Sequence, residues 1–175
     1  MKVLTMTVLV GLALASVTPS FAGPVFQVQI TGATQGKFRG EGSGEKTGFF
    51  PGLHMDFEVK SPRDPASGMP SGKRSYSPLV VTKEWGASST QIFRALTTNE
   101  VLRTVVLNFY RAATGTGEMV VSETWTLTDA TVAAVKAYEN SAVKESNLED
   151  VSFTFRRIEI FNHETKDVFV DDVRQ

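Results

Sequence analysis

Val151-Ser152-Phe153-Thr154-Phe155-Arg156-Arg157-Ile158-Glu159-Ile160 alternates apolar and polar residues and then slips by one position. Val151, Phe153 and Phe155 share one face, and the next apolar pair, Ile158 and Ile160, is out of phase with them. Successive side chains of a strand point to opposite faces, so a one-residue slip carries the apolar set across the sheet. The slip predicts either a β-bulge near Arg156-Arg157 or a strand whose faces swap as it passes from one neighbour to another. A sheet that closes on itself needs such a bend.

The segments on either side of this stretch are also strand-like. Leu53-His54-Met55-Asp56-Phe57-Glu58-Val59-Lys60 alternates without a break and predicts a half-buried strand. Phe26, Val28 and Ile30 oppose Gln27 and Gln29, and Leu79 to Lys83 forms another short strand. Val101 to Tyr110 is apolar on both faces over Val105-Val106-Leu107 and predicts a central, doubly covered strand. Glu118 to Leu127 and Val132 to Tyr138 read as two strands joined by Thr128-Asp129-Ala130. One helix is expected after Trp85-Gly86-Ala87, with Ser88 as N-cap, Gln91 as its capping-box partner and an end by Thr97 or Thr98. Its apolar face is Ile92, Phe93 and Leu96, with Phe93 as the core anchor. The pattern as a whole predicts a mainly all-β fold, a small closed barrel of about eight strands with one short flanking α-helix.

The chain has 175 residues, no cysteine, and 18 Lys+Arg against 19 Asp+Glu. Without cysteine there are no disulfides, no thiol nucleophile and no cysteine-based metal or iron–sulfur site. The near-neutral balance argues against a protein that coats nucleic acid or anionic lipid. Met1-Lys2, the uncharged apolar run Val3 to Val17 and the break at Thr18-Pro19-Ser20-Phe21-Ala22 have the layout of a secretory signal peptide, with cleavage between Ala22 and Gly23. Residues 1–22 are accordingly expected to be a leader and 23–175 a single β-barrel domain, exported and without a stable membrane span.

Two long connections interrupt the strands. Thr31 to Gly52 is rich in glycine, and Ser61 to Ser77 carries three prolines with Arg63, Asp64, Lys73 and Arg74. Neither has the spacing of a hairpin turn, and both are longer than ordinary connections, which points to function. The second reads as a loop built to reach another chain.

Chemical motifs are near misses. Gly42-Ser43-Gly44-Glu45-Lys46-Thr47 approaches a phosphate loop, but Glu45 stands where glycine is required. His163-Glu164-Thr165-Lys166-Asp167 lacks the second histidine of a zinc-protease helix and reads as a polar turn; His54 lies on the polar face of its strand. No serine sits in a Gly-x-Ser-x-Gly frame, and no Asn-x-Ser/Thr acceptor occurs. Glu84, Glu100 and Glu149 lie at element boundaries, where caps, turn ligands and salt bridges compete with a hydrolytic carboxylate pair. Trp85 and Trp125 suit a core or interface better than a ligand site. No catalytic residue, cofactor or metal is expected.

Ser77-Pro78-Leu79-Val80-Val81-Thr82-Lys83-Glu84-Trp85-Gly86-Ala87-Ser88-Ser89-Thr90-Gln91-Ile92-Phe93-Arg94-Ala95-Leu96 resembles the haemolysin-coregulated protein family, the inner-tube proteins of bacterial type VI secretion systems. The shared features are a strand carrying a Thr-Lys pair, a small-residue helix start and a short helix with an Ala-Leu ending. Ile30-Thr31-Gly32 with Gly36, the loop from Ser61 to Ser77, and Leu148-Glu149-Asp150-Val151 onward match in order. The resemblance implies a β-barrel that closes into a homo-hexameric ring and stacks as a tube, with sheath, spike and effector proteins as partners and effectors in the lumen. In the family the extended loop contacts neighbouring subunits, so Arg63, Asp64, Pro65, Lys73 and Arg74 are the candidate interface residues. The leader is a departure, since tube subunits assemble in the cytoplasm before secretion. The alternative is an exported envelope or extracellular binding module with the same barrel.

Overall fold

The computed structural model describes residues 26–41, 48–140 and 146–173. In chain order the elements are β1 (Phe26–Gly32), β2 (Gly36–Lys37), β3 (Phe50–Gly52), β4 (His54–Asp56), β5 (Val59–Lys60), β6 (Ser75–Tyr76), β7 (Leu79–Glu84), α1 (Ser89–Thr98), β8 (Leu102–Ala112), β9 (Met119–Asn140), β10 (Ser146–Thr154), β11 (Arg157–Asn162) and β12 (Val168–Asp172). Among the described residues the fold is mainly β with one short helix, as the sequence predicts. The strands outnumber the expected eight because several are fragments of two or three residues.

One ladder runs β2-β1-β8-β9-β10-β7-β4, with β11 and β12 branching from β9 and with β3 on β1. The ladder does not close as a continuous sheet. Its two ends are joined by the chain itself: β3 pairs with β1, β4 pairs with β7, and Leu53 between them donates its N–H to Thr82 O at 2.8 Å. The result is barrel-like, with Phe26, Val28, Ile30, Phe50, Leu79, Val81, Leu107, Leu127, Val151 and Phe153 buried in one core with Ile92 and Ala95 of α1.

The phase slip in the opening stretch is a change of sheet. β10 lies between β9 and β7, whereas β11 lies between β9 and β12. Val151, Phe153 and Ile158 are all buried on either side of the switch. Opposite it, the expected two strands at 118–127 and 132–138 are one continuous strand, β9. Thr128-Asp129-Ala130 is a bend inside that strand rather than a connection, with Asp129 at φ 48°. An aspartate tolerates this left-handed conformation because its short polar side chain bonds locally, and here it pairs with Arg156 at 3.1 Å.

Three expectations are corrected by packing. The strand expected over 53–60 breaks after Asp56, because Phe57 turns inward against Trp125 and Phe155 while Val59 stays exposed. The alternation persists, but it spans two different sheets. The Ser88 side chain does not cap α1: its backbone is helical, and its hydroxyl donates to Glu41 Oε1 at 3.3 Å. Gln91 Oε1 accepts from Arg39 N, so the capping box is replaced by contacts to the glycine-rich segment. Phe93 is 40% exposed, and Ile92 and Ala95 are the inward residues. Ile, Phe and Leu at these positions span more arc than the buried stripe, and the fully buried β-branched side chain is the anchor. The helix stops at Asn99, which takes φ 52° as the C-cap.

Within the glycine-rich segment, described residues pack against the core. Phe38 is buried, and Gly52 packs where a Cβ would collide with the ring of Phe26. Gly42 to Thr47, the phosphate-loop near miss, and residues 1–22 with the Ala22-Gly23 junction lie outside the described residues. Truncating Ile92 to Ala is expected to cost about 2–5 kcal/mol in chemical denaturation. Phe93→Ala is expected to fall within roughly 1 kcal/mol of the parent, as for an exposed site.

Candidate functional site

The alternation that buries Leu79 and Val81 in β7 also turns Lys83 inward. Its ammonium is 1% exposed and lies 3.2 Å from Glu149 Oε1, whose side chain is fully buried. Lys83 Nζ also donates to Glu84 O, lies 3.7 Å from Glu41 Oε1 and sits 5.1 Å from the centre of the Phe50 ring. Ser89, at the start of α1, donates to Glu149 Oε1 at 2.8 Å and accepts from Gly86 N at 3.0 Å. Lys83 and Ser89, six residues apart, thus meet the sequence-distant Glu149 at the junction of sheet and helix. They are residues of the segments that carry the family resemblance, and their arrangement is that of a latch. A charge taken out of water requires its partner, so this pair fixes how α1 sits on the barrel.

Glu100 has a comparable role at the other end of α1. Its Oε1 accepts from Thr34 N at 2.7 Å and Gln35 N at 2.8 Å, and its Oε2 accepts from Gln35 Nε2 at 2.8 Å. Burial acts to raise its pKa, but the donors of Gln35 and Thr34 outweigh burial and hold it below the usual glutamate value. Of the three boundary carboxylates, Glu100 is therefore a turn ligand, Glu149 an ion-pair partner, and Glu84 an exposed residue at the end of β7. The structure does not bring them together. Trp125 is partly buried and packs against the core cluster, while Trp85 is 53% exposed and donates its indole N–H to Leu148 O. His54 is exposed, and His163 sits in a turn with Nε2 2.8 Å from Thr124 Oγ1.

The loop from Ser61 to Ser77 is a projecting hairpin, contrary to its sequence spacing. β5 pairs with β6, Arg63 bridges Pro70, and Asp64 N donates to Met69 O at 2.9 Å. Asp64 shapes the tip: its Oδ1 accepts from Ser67 N at 2.7 Å, Ser67 Oγ at 2.8 Å and Ala66 N at 3.1 Å. Those bonds, led by the Ser67 N–H, lower its pKa. Arg63, Pro65, Lys73 and Arg74 are exposed and Asp64 half-buried, so the five candidates share one arm.

Arg74 is engaged within the chain. It pairs with Asp171 at 2.9 Å, and Tyr76 OH donates to the same carboxylate, while Phe57 stacks on Tyr76. Burial and the Asp171 contact raise the Tyr76 pKa. Between arm and β12 lies a cavity of about 360 Å³ lined by Pro70, Lys73, Arg74, Tyr76, Asp171 and Asp172. Sequence reasoning missed Asp171 as the arm's anchor, since nothing local to the last strand marks it. It could have found Lys83, because an inward lysine on an alternating strand demands a buried acid.

The architecture defines a barrel-like module with one clamped helix and one rigid, charged arm. The family model for the type VI secretion system effector, Hcp, matches residues 29–161, and the chain belongs to that family. It is 40% identical over 110 residues to the "Major exported protein" of Pseudomonas aeruginosa, a match covering 59% of this chain and 63% of that relative's length. The fold matches a crystal structure of an Hcp protein with TM-score 0.77 and 27% identity, over 86% of this chain and 99% of that one. The secreted protein Hcp3 of Pseudomonas aeruginosa matches with TM-score 0.72 and 25% identity, over 87% of this chain and 100% of that one.

Removing one partner of the buried pair, as in Lys83→Met or Glu149→Leu, is expected to cost about 3–5 kcal/mol in urea unfolding. The double replacement should recover most of that loss, because the uncompensated charge is gone. A double variant as unstable as the sum of the singles would show that the pair is not the source of the effect.

Proposed function

We propose that this chain is a structural subunit of a type VI secretion assembly that closes into a hexameric ring and stacks as a tube, performing no chemical step of its own. The family match over residues 29–161 carries the reading. The rigid arm supports it, since Arg63, Pro65 and Lys73 project to solvent on a hairpin whose root is fixed. Two different surfaces of one subunit meeting head to tail close a ring, and stacked rings extend into a tube. Both oxygens of Glu100 and Oε1 of Glu149 are occupied in internal bonding, which supports a non-enzymatic role. Sheath, spike and effector proteins are the further partners that the reading implies.

The leader-like residues 1–22 favour a second reading, an exported binding module with the same barrel. Cleavage between Ala22 and Gly23 belongs to that reading. Size-exclusion chromatography with light scattering on protein recovered from the producing cells is expected to give a discrete oligomer of six chains' mass. A monomer at every concentration would contradict the assembly reading. N-terminal sequencing of the same sample distinguishes a retained leader from a start at Gly23, which would direct the protein to the module reading.

A further inference from the structure

Cations gather where the turn between β1 and β2 meets α1. Lys37 lies on β2, Arg39 follows it, Arg94 lies on α1 and Arg103 near the start of β8, and all four are exposed. The turn fixes their placement. Gln91 of α1 accepts from Arg39 N through Oε1 at 2.7 Å and from Gln35 Nε2 through its carbonyl at 3.0 Å. Arg94 lies one helical turn beyond Gln91 on the same side. Arg103 donates to Ala33 O at 3.4 Å, and Ala33 N donates to Val101 O at 2.9 Å.

No acid neutralises this group. Among the described residues none of the four cations lies within ion-pair distance of a carboxylate. The acids nearby are engaged elsewhere. Glu100 is buried and bonded to Thr34 and Gln35, with Arg94 adding only its field. Glu41 faces Lys83 and Ser88, and Asp129, level with Arg103 across β8 and β9, pairs with Arg156 at 3.1 Å. In a chain of net charge −1, the result is a local positive patch that composition alone does not show. Two apolar side chains adjoin it, Phe93 at 40% exposure and Val101 at 45%.

Guanidinium groups bind carboxylates through paired N–H donors, and cations whose backbone roots are fixed lose little freedom on binding. Nucleic-acid affinity grows with the number of phosphates neutralised, and so small a group neutralises few. A polypeptide supplies both carboxylates and apolar side chains. We propose that this surface docks an acidic, partly apolar segment of another protein, with its carboxylates on Arg39, Arg94 and Arg103 and an apolar side chain against Phe93. The partner is a different polypeptide, so the contact goes beyond self-assembly and is tested separately from it.

The test is fluorescence anisotropy of the full-length protein with a fluorescein-labelled peptide rich in glutamate with interspersed leucine. Saturable binding that weakens with added salt is expected. Arg39→Glu with Arg94→Glu should lower the affinity about tenfold or more, whereas Arg63→Glu with Lys73→Glu on the arm should leave it unchanged. Since Arg94 favours the Glu100 carboxylate, Arg39→Gln with Arg103→Gln is a second variant that leaves the helix end alone, and it should also weaken binding. No binding of the peptide, or equal loss from the arm variant, overturns the proposal. A thymidine oligonucleotide bound as tightly, with the same dependence on Arg39 and Arg94, overturns the polypeptide assignment. Light scattering on both patch variants should give the parent's mass; a changed mass would place a second copy on this surface and overturn a separate partner.

Discussion

At Asp129 the backbone of β9 enters the left-handed region, and the strand that pairs with β8 and β11 before that point pairs with β10 after it. The same level is where β10 gives way to β11 and where Arg156 closes on Asp129. Two sheets are thereby built on one unbroken strand. The core, the seat of the helix and the position of both chain surfaces follow from that shared bend. A bend of this kind raises local twist and lets a sheet curl over a core without leaving its backbone groups unpaired.

On that frame, two buried acids hold the helix. Glu149 with Lys83 and Ser89 fixes its start, and Glu100 with Thr34 and Gln35 ties its end to the turn between β1 and β2. Both are polar contacts in places where apolar packing alone would leave the helix free to slide. Lys83 with Ser89, and Glu149, lie in two of the segments that carry the family resemblance, Ser77 to Leu96 and Leu148 onward. They meet at one joint, although sequence separates Glu149 from Lys83 by 66 positions and from Ser89 by 60.

The strand alternation, the helix and the change of sheet at Phe155 to Ile158 were legible in the sequence, because each rests on local periodicity. Phe93 misled because a short helix carries too few turns to define its buried stripe. The hairpin at 61–74 was hidden because its ladder is only two residue pairs long, and its order comes from Asp64 and from Asp171 at the far end of the chain. The bend at Asp129 read as a connection because a polar residue with turn chemistry looks the same inside a strand as between two. The family resemblance reached the right conclusion because it weighed the order of segments rather than any one of them.

In the proposed assembly the barrel stands on its own packing and the arm serves other copies. Replacing residues 62–73 with a two-residue Asn-Gly turn between β5 and β6 tests that division most directly. The barrel should keep its cooperative thermal transition within a few degrees, since the arm contributes no residue to the buried core. Light scattering on the same protein should find a monomer. A shortened protein that still assembles, or one that no longer folds, would contradict the account.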